Sequence, residues 1–223
     1  MNGRVQHKRE TEENFVQEVE IIDHSTRLPG TLVVPVHCHG IVIFAHGSGS
    51  SRLSPRNIRV ADHLNRDQLG TLLFDLLTWD EAQDRENVFD IQFLASRLLA
   101  AVRYVTSQSV SKDLPLGFFG ASTGAGAALW AAADLGQSIK AVVSRGGRPD
   151  LALPRLNEVT APTLLIVGGA DDVVITLNQR ALKSLKQGSM VIIPEATHLF
   201  EEPGALDQVS EHASRWFLTH IRS

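Results

Sequence analysis

A serine lies at the centre of the segment Gly120-Ala121-Ser122-Thr123-Gly124, which has the pattern G-x-S-x-G. An apolar run precedes this segment, and a run of small residues suited to a helix follows it. The pattern is typical of a sharp turn between a strand and a helix, which exposes the serine hydroxyl and aims helical N–H groups beside it. It predicts that Ser122 is a covalent nucleophile and that the chain is a hydrolase.

A serine nucleophile needs a base that takes its proton and a carboxylate that orients the base. Two acids, Asp171 and Asp172, come shortly after the apolar run 163–167. A histidine, His198, comes shortly after the apolar run 190–193. Because the site residues of open α/β sheets lie at the carboxyl ends of strands, we expect His198 and one of these acids to lie close to the serine.

The loop after the apolar run 41–45 carries further residues expected at the site. It reads His46-Gly47-Ser48-Gly49-Ser50-Ser51, and its glycines allow backbone amides to turn toward a bound oxygen. A tetrahedral oxyanion needs two N–H donors. We expect the amide of Thr123, the residue after the nucleophile, to be one donor and the amide of Ser48 to be the other. His46 is expected to support this loop rather than to transfer protons.

The glycines around Ser122 also fit a second class of enzyme. Residues 120–126 match G-x-x-x-G-x-G, the nucleotide-binding loop of short-chain dehydrogenases. Such a loop follows the first strand of its fold, whereas several apolar runs precede this one. Those enzymes also use a Tyr-x-x-x-Lys pair, and Tyr104, the only tyrosine, has Gln108 in place of the lysine. The hydrolase interpretation is therefore favoured.

Strands and helices alternate along the chain after an antiparallel start. A turn is predicted at Leu28-Pro29-Gly30, between the first two strands. The alternation predicts an α/β fold with a mostly parallel sheet of about eight strands and helices on both faces. Apolar runs and periodicity predict strands at 18–22, 31–36, 41–45, 71–76, 116–119, 141–143, 163–167 and 190–193, and helices at 55–69, 88–104, 123–134, 175–187 and 205–220.

From about residue 31 to the C-terminus, the chain resembles α/β-hydrolases of the dienelactone hydrolase-like group. The resemblance implies an α/β-hydrolase fold and a catalytic triad of Ser122, Asp171 and His198, in the chain order Ser, Asp, His. It favours Asp171 over Asp172 because of the spacing Gly-Gly-x-Asp. The motifs that carry it are His46-Gly47, Gly120-Ala121-Ser122-Thr123-Gly124, Gly168-Gly169-Ala170-Asp171 and Ala196-Thr197-His198.

The resemblance also bears on the reaction and on access to the site. Dienelactone hydrolases proper use a cysteine nucleophile, whereas this chain has Ser122, which favours a general hydrolase of carboxylic esters, lactones or thioesters acting through an acyl-enzyme. Larger α/β-hydrolases insert a helical cap between the strands predicted here at 141–143 and 163–167. About 19 residues separate these strands, so we expect no large cap and an open site.

Several residues near the expected site have two interpretations. Arg52 or Arg56, together with Arg145 or Arg148, would hold an anionic group of the substrate, or these arginines are solvated surface charges, which we favour. Trp79 would line an acyl pocket or cover the edge of the core. Arg52, Trp79 and Arg148 are retained as candidate substrate-binding residues.

Composition limits the other function classes. The 223 residues carry a formal net charge of −4 and no apolar run of about 20 residues, so the sequence predicts neither nucleic acid nor membrane as a partner. One domain is expected at 16–223, after an N-terminal tail at 1–15 that lacks the apolar core of a secretory signal. The single Cys38 suits a reducing cytoplasm.

A serine hydrolase of this kind requires no metal and no organic cofactor, and its expected partner is a small ester-like substrate. The segment His37-Cys38-His39 has no further ligand at the spacing of a zinc site. Two other functions stay open at this point: a binding or regulatory protein that keeps the fold without turnover, and an acyltransferase whose acceptor is not water.

Overall fold

A single sheet of eight strands forms the centre of the computed structural model, which describes residues 14–221. The strands are β1 (Phe15–Asp23), β2 (Thr26–Val34), β3 (Ile41–Ala45), β4 (Gly70–Phe74), β5 (Leu116–Ala121), β6 (Ile139–Arg145), β7 (Thr163–Gly168) and β8 (Gly188–Ile193). Their order is β1-β2-β4-β3-β5-β6-β7-β8. Strand β2 is antiparallel to β1 and β4, and the other neighbours are parallel. This confirms the predicted α/β fold with its mostly parallel sheet.

Helices cover both faces of the sheet. They are α1 (Pro55–Arg66), α2 (Arg85–Phe89), α3 (Ile91–Ser107), α4 (Thr123–Leu135), α5 (Asp172–Leu182) and α6 (Ala205–Ile221). Apolar residues of α1 and α6 pack on one face, and those of α3, α4 and α5 pack on the other. Strands β3, β4, β5 and β7 are buried along their whole length because both of their faces are covered in this way.

Neighbouring residues of the central strands contribute to opposite layers of the core. On β5, Phe118 packs in the layer under α3 and α4, while Phe119 packs in the layer under α1 and α6. The ring centroid of Phe119 lies 4.8 Å from that of Phe44 on β3. The alternation of a pleated strand thus explains why an unbroken apolar run is needed at this position.

The chain between β6 and β7 consists of residues 146–162, most of which form a 3₁₀ segment at Pro149–Glu158. This segment packs against α4 and α5, at the side of the sheet. The connection is too short to form a large cap, which confirms that prediction. The carboxyl edge of the parallel strands is therefore left open.

The turn predicted at Leu28-Pro29-Gly30 is wrong, because these residues lie within β2. The chain instead turns at His24 and Ser25, and His24 adopts a positive φ of 53°. The carbonyl of Pro29 accepts a hydrogen bond from Asp75 N, so its missing N–H would lie on the same side of the strand. Pairing of β2 with β4 begins only at Gly30. A proline is therefore tolerated at position 29, because no N–H is needed there for the ladder.

The helix predicted at 88–104 is divided in two. Asp90 lies between α2 and α3, and its side chain accepts a hydrogen bond of 2.9 Å from Phe93 N. An aspartate that caps a helix in this way has non-helical backbone, so it starts a new helix instead of continuing the old one. Apolar periodicity extends across this boundary and does not reveal it.

A buried ion-pair network ties α3 to β1 and to the chain after β4. The guanidinium of Arg97, which is 3% exposed, lies 3.1 Å from an Asp23 oxygen and 2.6 Å from a Glu81 oxygen. Arg103 reaches the other oxygen of Asp23 at 3.3 Å. The carboxylate of Glu81 in turn accepts the N–H of Thr78 at 2.9 Å. The network therefore holds residues 78–81 against the body of the protein.

The predicted N-terminal tail at 1–15 falls almost wholly outside the described residues, and β1 already begins at Phe15. Within residues 14–221, none of the helices has an apolar stretch of the length needed to cross a membrane.

Candidate active site

Ser122 lies at the junction of β5 and α4 with φ 51° and ψ −122°, a conformation that is strained for a residue with a side chain. Hydrogen bonds hold this turn on both sides. Ser122 N donates to Arg145 O at 3.3 Å, and Ser122 O accepts from Ala125 N at 3.1 Å and from Arg148 N at 3.0 Å. The main chain of residues 145–148 therefore buttresses the serine.

Gly124, in the first turn of α4, has no room for a side chain. A Cβ at this position would lie 2.3 Å from Ala45 O and 2.4 Å from His46 O. The glycine thus lets α4 begin directly against the end of β3 and against the loop that follows it. This close approach brings the residues after β3 next to Ser122.

His198 forms a hydrogen bond with Asp171, with 2.7 Å between Nδ1 and Oδ2. The other carboxylate oxygen of Asp171 caps α5 by accepting from Val174 N at 3.4 Å. The adjacent Asp172 is exposed in the first turn of α5, so the structure pairs His198 with Asp171. Because an ionised carboxylate only accepts hydrogen bonds, Nδ1 carries the proton and Nε2 presents its lone pair.

Main-chain hydrogen bonds join the loops that carry Asp171 and His198. Gly169 N donates to Ile193 O at 2.8 Å, and Ala170 N donates to Ala196 O at 2.9 Å. A Cβ on Gly168 would lie 2.3 Å from Ala196 O, so a glycine is needed where the loops cross. The acid and the histidine are positioned by their backbones, not only by their mutual bond.

The segment 145–148 also links the histidine to the serine. A Cβ built on Gly146 would lie 3.5 Å from His198 Cε1, while the preceding Arg145 bonds to Ser122 N. The structure therefore brings Ser122, Asp171 and His198 to the same end of the sheet. The hydrogen bonds of residues 14–221 do not include one between Ser122 Oγ and His198 Nε2, a contact that often tightens only when substrate binds.

The amides expected in an oxyanion hole lie side by side. Ser48 N donates a hydrogen bond of 2.9 Å to Thr123 Oγ1. The amide of Thr123 is the first in α4, where N–H groups have no intrahelical acceptor. The Ser48 amide thus has an internal partner, and a bound oxygen would replace this hydroxyl or share the N–H with it.

His46 ties the loop after β3 to the chain after β4. Its Nε2 accepts a hydrogen bond of 3.0 Å from Leu76 N, and its Nδ1 donates to Gly47 O at 3.0 Å. Burial lowers the pKa of His46, against the opposing effects of the Gly47 carbonyl and of Asp75. Both ring nitrogens are occupied, so His46 is a structural residue and not a base.

This buried imidazole predicts a pH-dependent stability. The pKa of His46 is lower in the folded protein than in the unfolded chain. Below about pH 6.5 the unfolded chain therefore binds more protons than the folded protein, and the free energy of unfolding decreases as the pH falls further. We expect His46→Gln to reduce the loss of unfolding free energy between pH 7.5 and 5.5, because the variant has no imidazole at this position that the unfolded chain could protonate. Urea titrations at both pH values measure it, and His212→Gln on α6 controls for the loss of an imidazole. An unchanged pH difference would contradict the prediction.

A cavity of about 360 Å³ opens beside these amides. One end is formed by the loop 46–51 together with Thr123. The other end is formed mainly by apolar side chains of the segment after β4, of α2 and of α3. Trp79, one of the predicted substrate-binding residues, lines this cavity with 78% of its surface exposed.

Arg52 and Arg148, the other predicted substrate-binding residues, already have anionic partners. The guanidinium of Arg52 lies 3.9 Å from Asp75 and 4.0 Å from Glu18, and its backbone N–H donates to Asp75 at 2.6 Å. Arg148 makes two hydrogen bonds of 2.8 Å to Asp150. Neither arginine can hold a substrate anion without giving up an ion pair.

Arg145, at the end of β6, is buried and lacks a carboxylate partner. Its Nε and Nη1 have no hydrogen-bond partner among the described residues. Burial and the positive charge of Arg56 lower the pKa of Arg145 to about 10. Arg56 itself lies 3.2 Å from Glu201. Neither residue lines the cavity beside the amides.

Asn178 on α5 is a supporting residue that no sequence motif reveals. Its side-chain amide is fully buried and donates to Gly147 O at 3.0 Å and to Val174 O at 2.8 Å. It thus joins the helix that begins at Asp171 to the segment that buttresses Ser122. Its role depends on a contact between distant parts of the chain, which local spacing does not show.

The described residues contain no group of three or more His, Cys, Asp or Glu side chains that could hold a metal ion. The thiol of Cys38 donates to Gly40 O at 3.3 Å and accepts from Gly70 N at 3.2 Å, and burial raises its pKa. This cysteine supports the chain between β2 and β3.

Comparisons with known proteins agree with the overall fold. The family model described as the dienelactone hydrolase family matches residues 57–219. The crystal structure of a dienelactone hydrolase from Anabaena variabilis is 51% identical, with a TM-score of 0.91, and the match covers 95% of this chain and 100% of that one. The structure of Est1E from Butyrivibrio proteoclasticus is 18% identical, with a TM-score of 0.80 and coverage of 92% and 99%, which shows the fold.

A curated relative from Mycobacterium tuberculosis, strain H37Rv, is 54% identical over 206 residues. It is provisionally named a phosphoribosyl transferase. The match covers 92% of this chain but 46% of the relative, so the chain spans about half the length of this relative.

Proposed function

Because the chain belongs to the dienelactone hydrolase family of hydrolases, we propose that it cleaves an ester-like bond with Ser122 as the nucleophile. The bond is a carboxylic ester, a lactone or a thioester of a small molecule. The observation that carries this proposal is the hydrogen bond of 2.7 Å between His198 and Asp171, at the same end of the sheet as the strained turn of Ser122.

In the proposed reaction, the serine hydroxyl attacks the carbonyl carbon while His198 Nε2 takes its proton. Asp171 keeps the other proton on Nδ1 and stabilises the imidazolium that forms. The negative charge develops on the former carbonyl oxygen, where the amides of Thr123 and Ser48 donate to it. No other group in this scheme changes its protonation state.

Collapse of this intermediate releases the leaving group, which takes its proton from His198, and leaves an acyl group on Ser122. Water then attacks the acyl-enzyme, with His198 again as the base, and the acid product is released. All proton transfers in this scheme pass through one imidazole.

The relative's name suggests a further activity for longer proteins of this group. We propose that the hydrolase reaction belongs to the part of the relative that matches this chain, and that phosphoribosyl transfer belongs to the part that it does not span. We also propose a reducing, cytoplasmic setting, which suits the single free thiol of Cys38.

A fluorophosphonate probe tests the proposed function directly, because it reacts covalently only with an activated serine. We expect one adduct per native chain, on the peptide that contains Ser122, and none in Ser122→Ala. Protein denatured before labelling controls for non-specific reaction. A folded wild-type protein that takes no label would contradict the proposal and support a binding protein that keeps the fold without turnover.

A further inference from the structure

We infer from the cavity beside the oxyanion loop that the substrate is an uncharged ester whose apolar acyl group, of short to medium length, binds between α2, α3 and the segment after β4. This inference rests on the proposed function and adds the substrate class. The position, the lining, the charge and the volume of the cavity support this substrate class.

The position of the cavity assigns it to the acyl group. It is lined by Ser48 and Thr123, whose amides would contact the reacting carbonyl oxygen. Ser122 lies next to the lining residue Thr123 in the chain but does not line the cavity, and neither does His198. The leaving group must lie beside His198 because it receives its proton from that residue. The imidazole is on the open side of the site, with 40% of its side chain exposed. The acyl side is therefore enclosed, and the leaving-group side faces solvent.

The wall away from the amides is apolar. Leu76 and Leu94 are 1% and 3% exposed and form its base, with Leu77 and Val88 beside them. Trp79 forms an exposed part of the wall and gives the ring face that an alkyl or aryl group would contact. Such a lining favours an apolar substituent, since each methylene removed from water contributes favourably.

The lining offers no positive charge to an anion. Burial favours the neutral form of His46, and its Nε2 accepts a hydrogen bond from Leu76 N, which only the neutral ring can do. Asp75 is the one ionised group of the lining, and it is bonded to the backbone and near the guanidinium of Arg52. A carboxylate on the acyl chain would lose water here without gaining a cationic partner, which is unfavourable.

Arg85 is the cation that could bind an anionic group of the substrate instead. It lines a shallower neighbouring cavity together with Phe89, and its guanidinium lies 5.6 Å above that ring. This arginine is exposed, and the neighbouring cavity shares five lining residues with the first one: Ser48, Gly49, Ala82, Gln83 and Val88. A substrate anion that binds Arg85 would therefore lie in the neighbouring cavity and not in the first one.

The volume sets the length of the acyl group. About 360 Å³ equals roughly twelve times the share of one water molecule in the liquid, which is room for an acyl chain of about six to eight carbons or one aromatic ring. A much longer chain would extend past Trp79 into solvent and gain little from its additional methylenes.

The test compares p-nitrophenyl acetate, hexanoate and palmitate with the p-nitrophenyl ester of adipic acid, which is hexanoate with a terminal carboxylate. We expect kcat/KM for hexanoate to exceed that for acetate by about 10²-fold, at about fourfold per buried methylene. Palmitate should exceed hexanoate by about 16-fold at most, because the cavity has room for no more than about two of its additional methylenes. The adipate ester should be slower than hexanoate by about 10²-fold or more.

A variant pair locates the acyl group. Val88→Trp fills the apolar end and should lower the ratio of hexanoate to acetate kcat/KM about 10-fold. Val16→Trp, the same change at a residue that is 64% exposed on β1 and does not line the cavity, should leave the ratio unchanged. Thermal unfolding and fluorophosphonate labelling establish that both variants are folded.

Two results would overturn the inference. Preference for the adipate ester would show that a cation such as Arg85 binds the substrate, and an equal ratio in Val88→Trp and wild type would place the acyl group elsewhere. In both cases Ser122 is still labelled by fluorophosphonate, so the proposed function survives. Absence of labelling together with absence of hydrolysis of all four esters would remove the proposed function and the inference with it.

Discussion

Replacing Asp171 by Asn is expected to lower kcat for the preferred ester by about 10⁴-fold with little change in stability. The amide of Asn is nearly isosteric with the carboxylate, so it can still cap α5 through its oxygen. Its NH₂ group, however, can donate to His198 Nδ1, which then becomes an acceptor and leaves the proton on Nε2. In that tautomer His198 cannot take the proton of Ser122.

The neighbouring Asp172 supplies the matched control, because it is an exposed aspartate in the same turn and has no bond to His198. We expect Asp172→Asn to retain kcat within about twofold. Steady-state kinetics and thermal unfolding of both variants separate loss of chemistry from loss of fold. If Asp172→Asn were the slower variant, the assignment of the acid from the distance of 2.7 Å would be wrong.

The largest expected effect on stability comes from Arg97→Met. The substitution leaves Asp23, which is 5% exposed, with the exposed Arg103 as its remaining partner. Breaking one side of a buried ion pair in this way costs about 3–5 kcal/mol of unfolding free energy. Equilibrium unfolding in urea measures the loss.

Two further variants test the physical reason for this loss. Arg103→Met removes a partner whose side chain is 63% exposed and should cost about 1 kcal/mol or less. The double variant Asp23→Asn with Arg97→Met should recover part of the stability, because it also removes the unpaired buried charge. A double variant less stable than Arg97→Met would indicate that Arg103 still compensates the charge of Asp23, so that an unpaired buried charge is not the reason for the loss.

Local sequence signals were sufficient to predict most of the fold, and they also pointed to the candidate site residues, whose roles stay predictions. Ser122 is marked by its glycines, and Asp171 and His198 by their position after apolar runs, because a strand buried on both faces must be apolar throughout. The turn at His24 could not be found in this way, since Pro29 and Gly30 give a stronger turn signal. Pro29 and Gly30 lie inside β2 because the pairing of β2 with β4 begins at Gly30, and the sequence around them does not show where this pairing begins.

The electrostatic partners were not predictable from the sequence. Arg148 and Arg97 are both arginines near apolar segments, yet the first is paired locally with Asp150 and the second is buried against Asp23. Which acid an arginine reaches depends on contacts between distant elements. The same limit explains why the support that Asn178 gives to the site was missed.

The Ser48 amide already donates a hydrogen bond to Thr123 Oγ1, so an oxygen of the substrate must compete with this hydroxyl for the N–H. A neutral carbonyl that displaces the neutral hydroxyl of Thr123 trades one acceptor for an equivalent one and gains little. The oxyanion of the proposed reaction is a charged acceptor, whose hydrogen bonds are about twice as strong, so it competes with the hydroxyl far better. Competition from the protein's own side chain would therefore weaken substrate binding more than transition-state binding, which is the difference that accelerates a reaction.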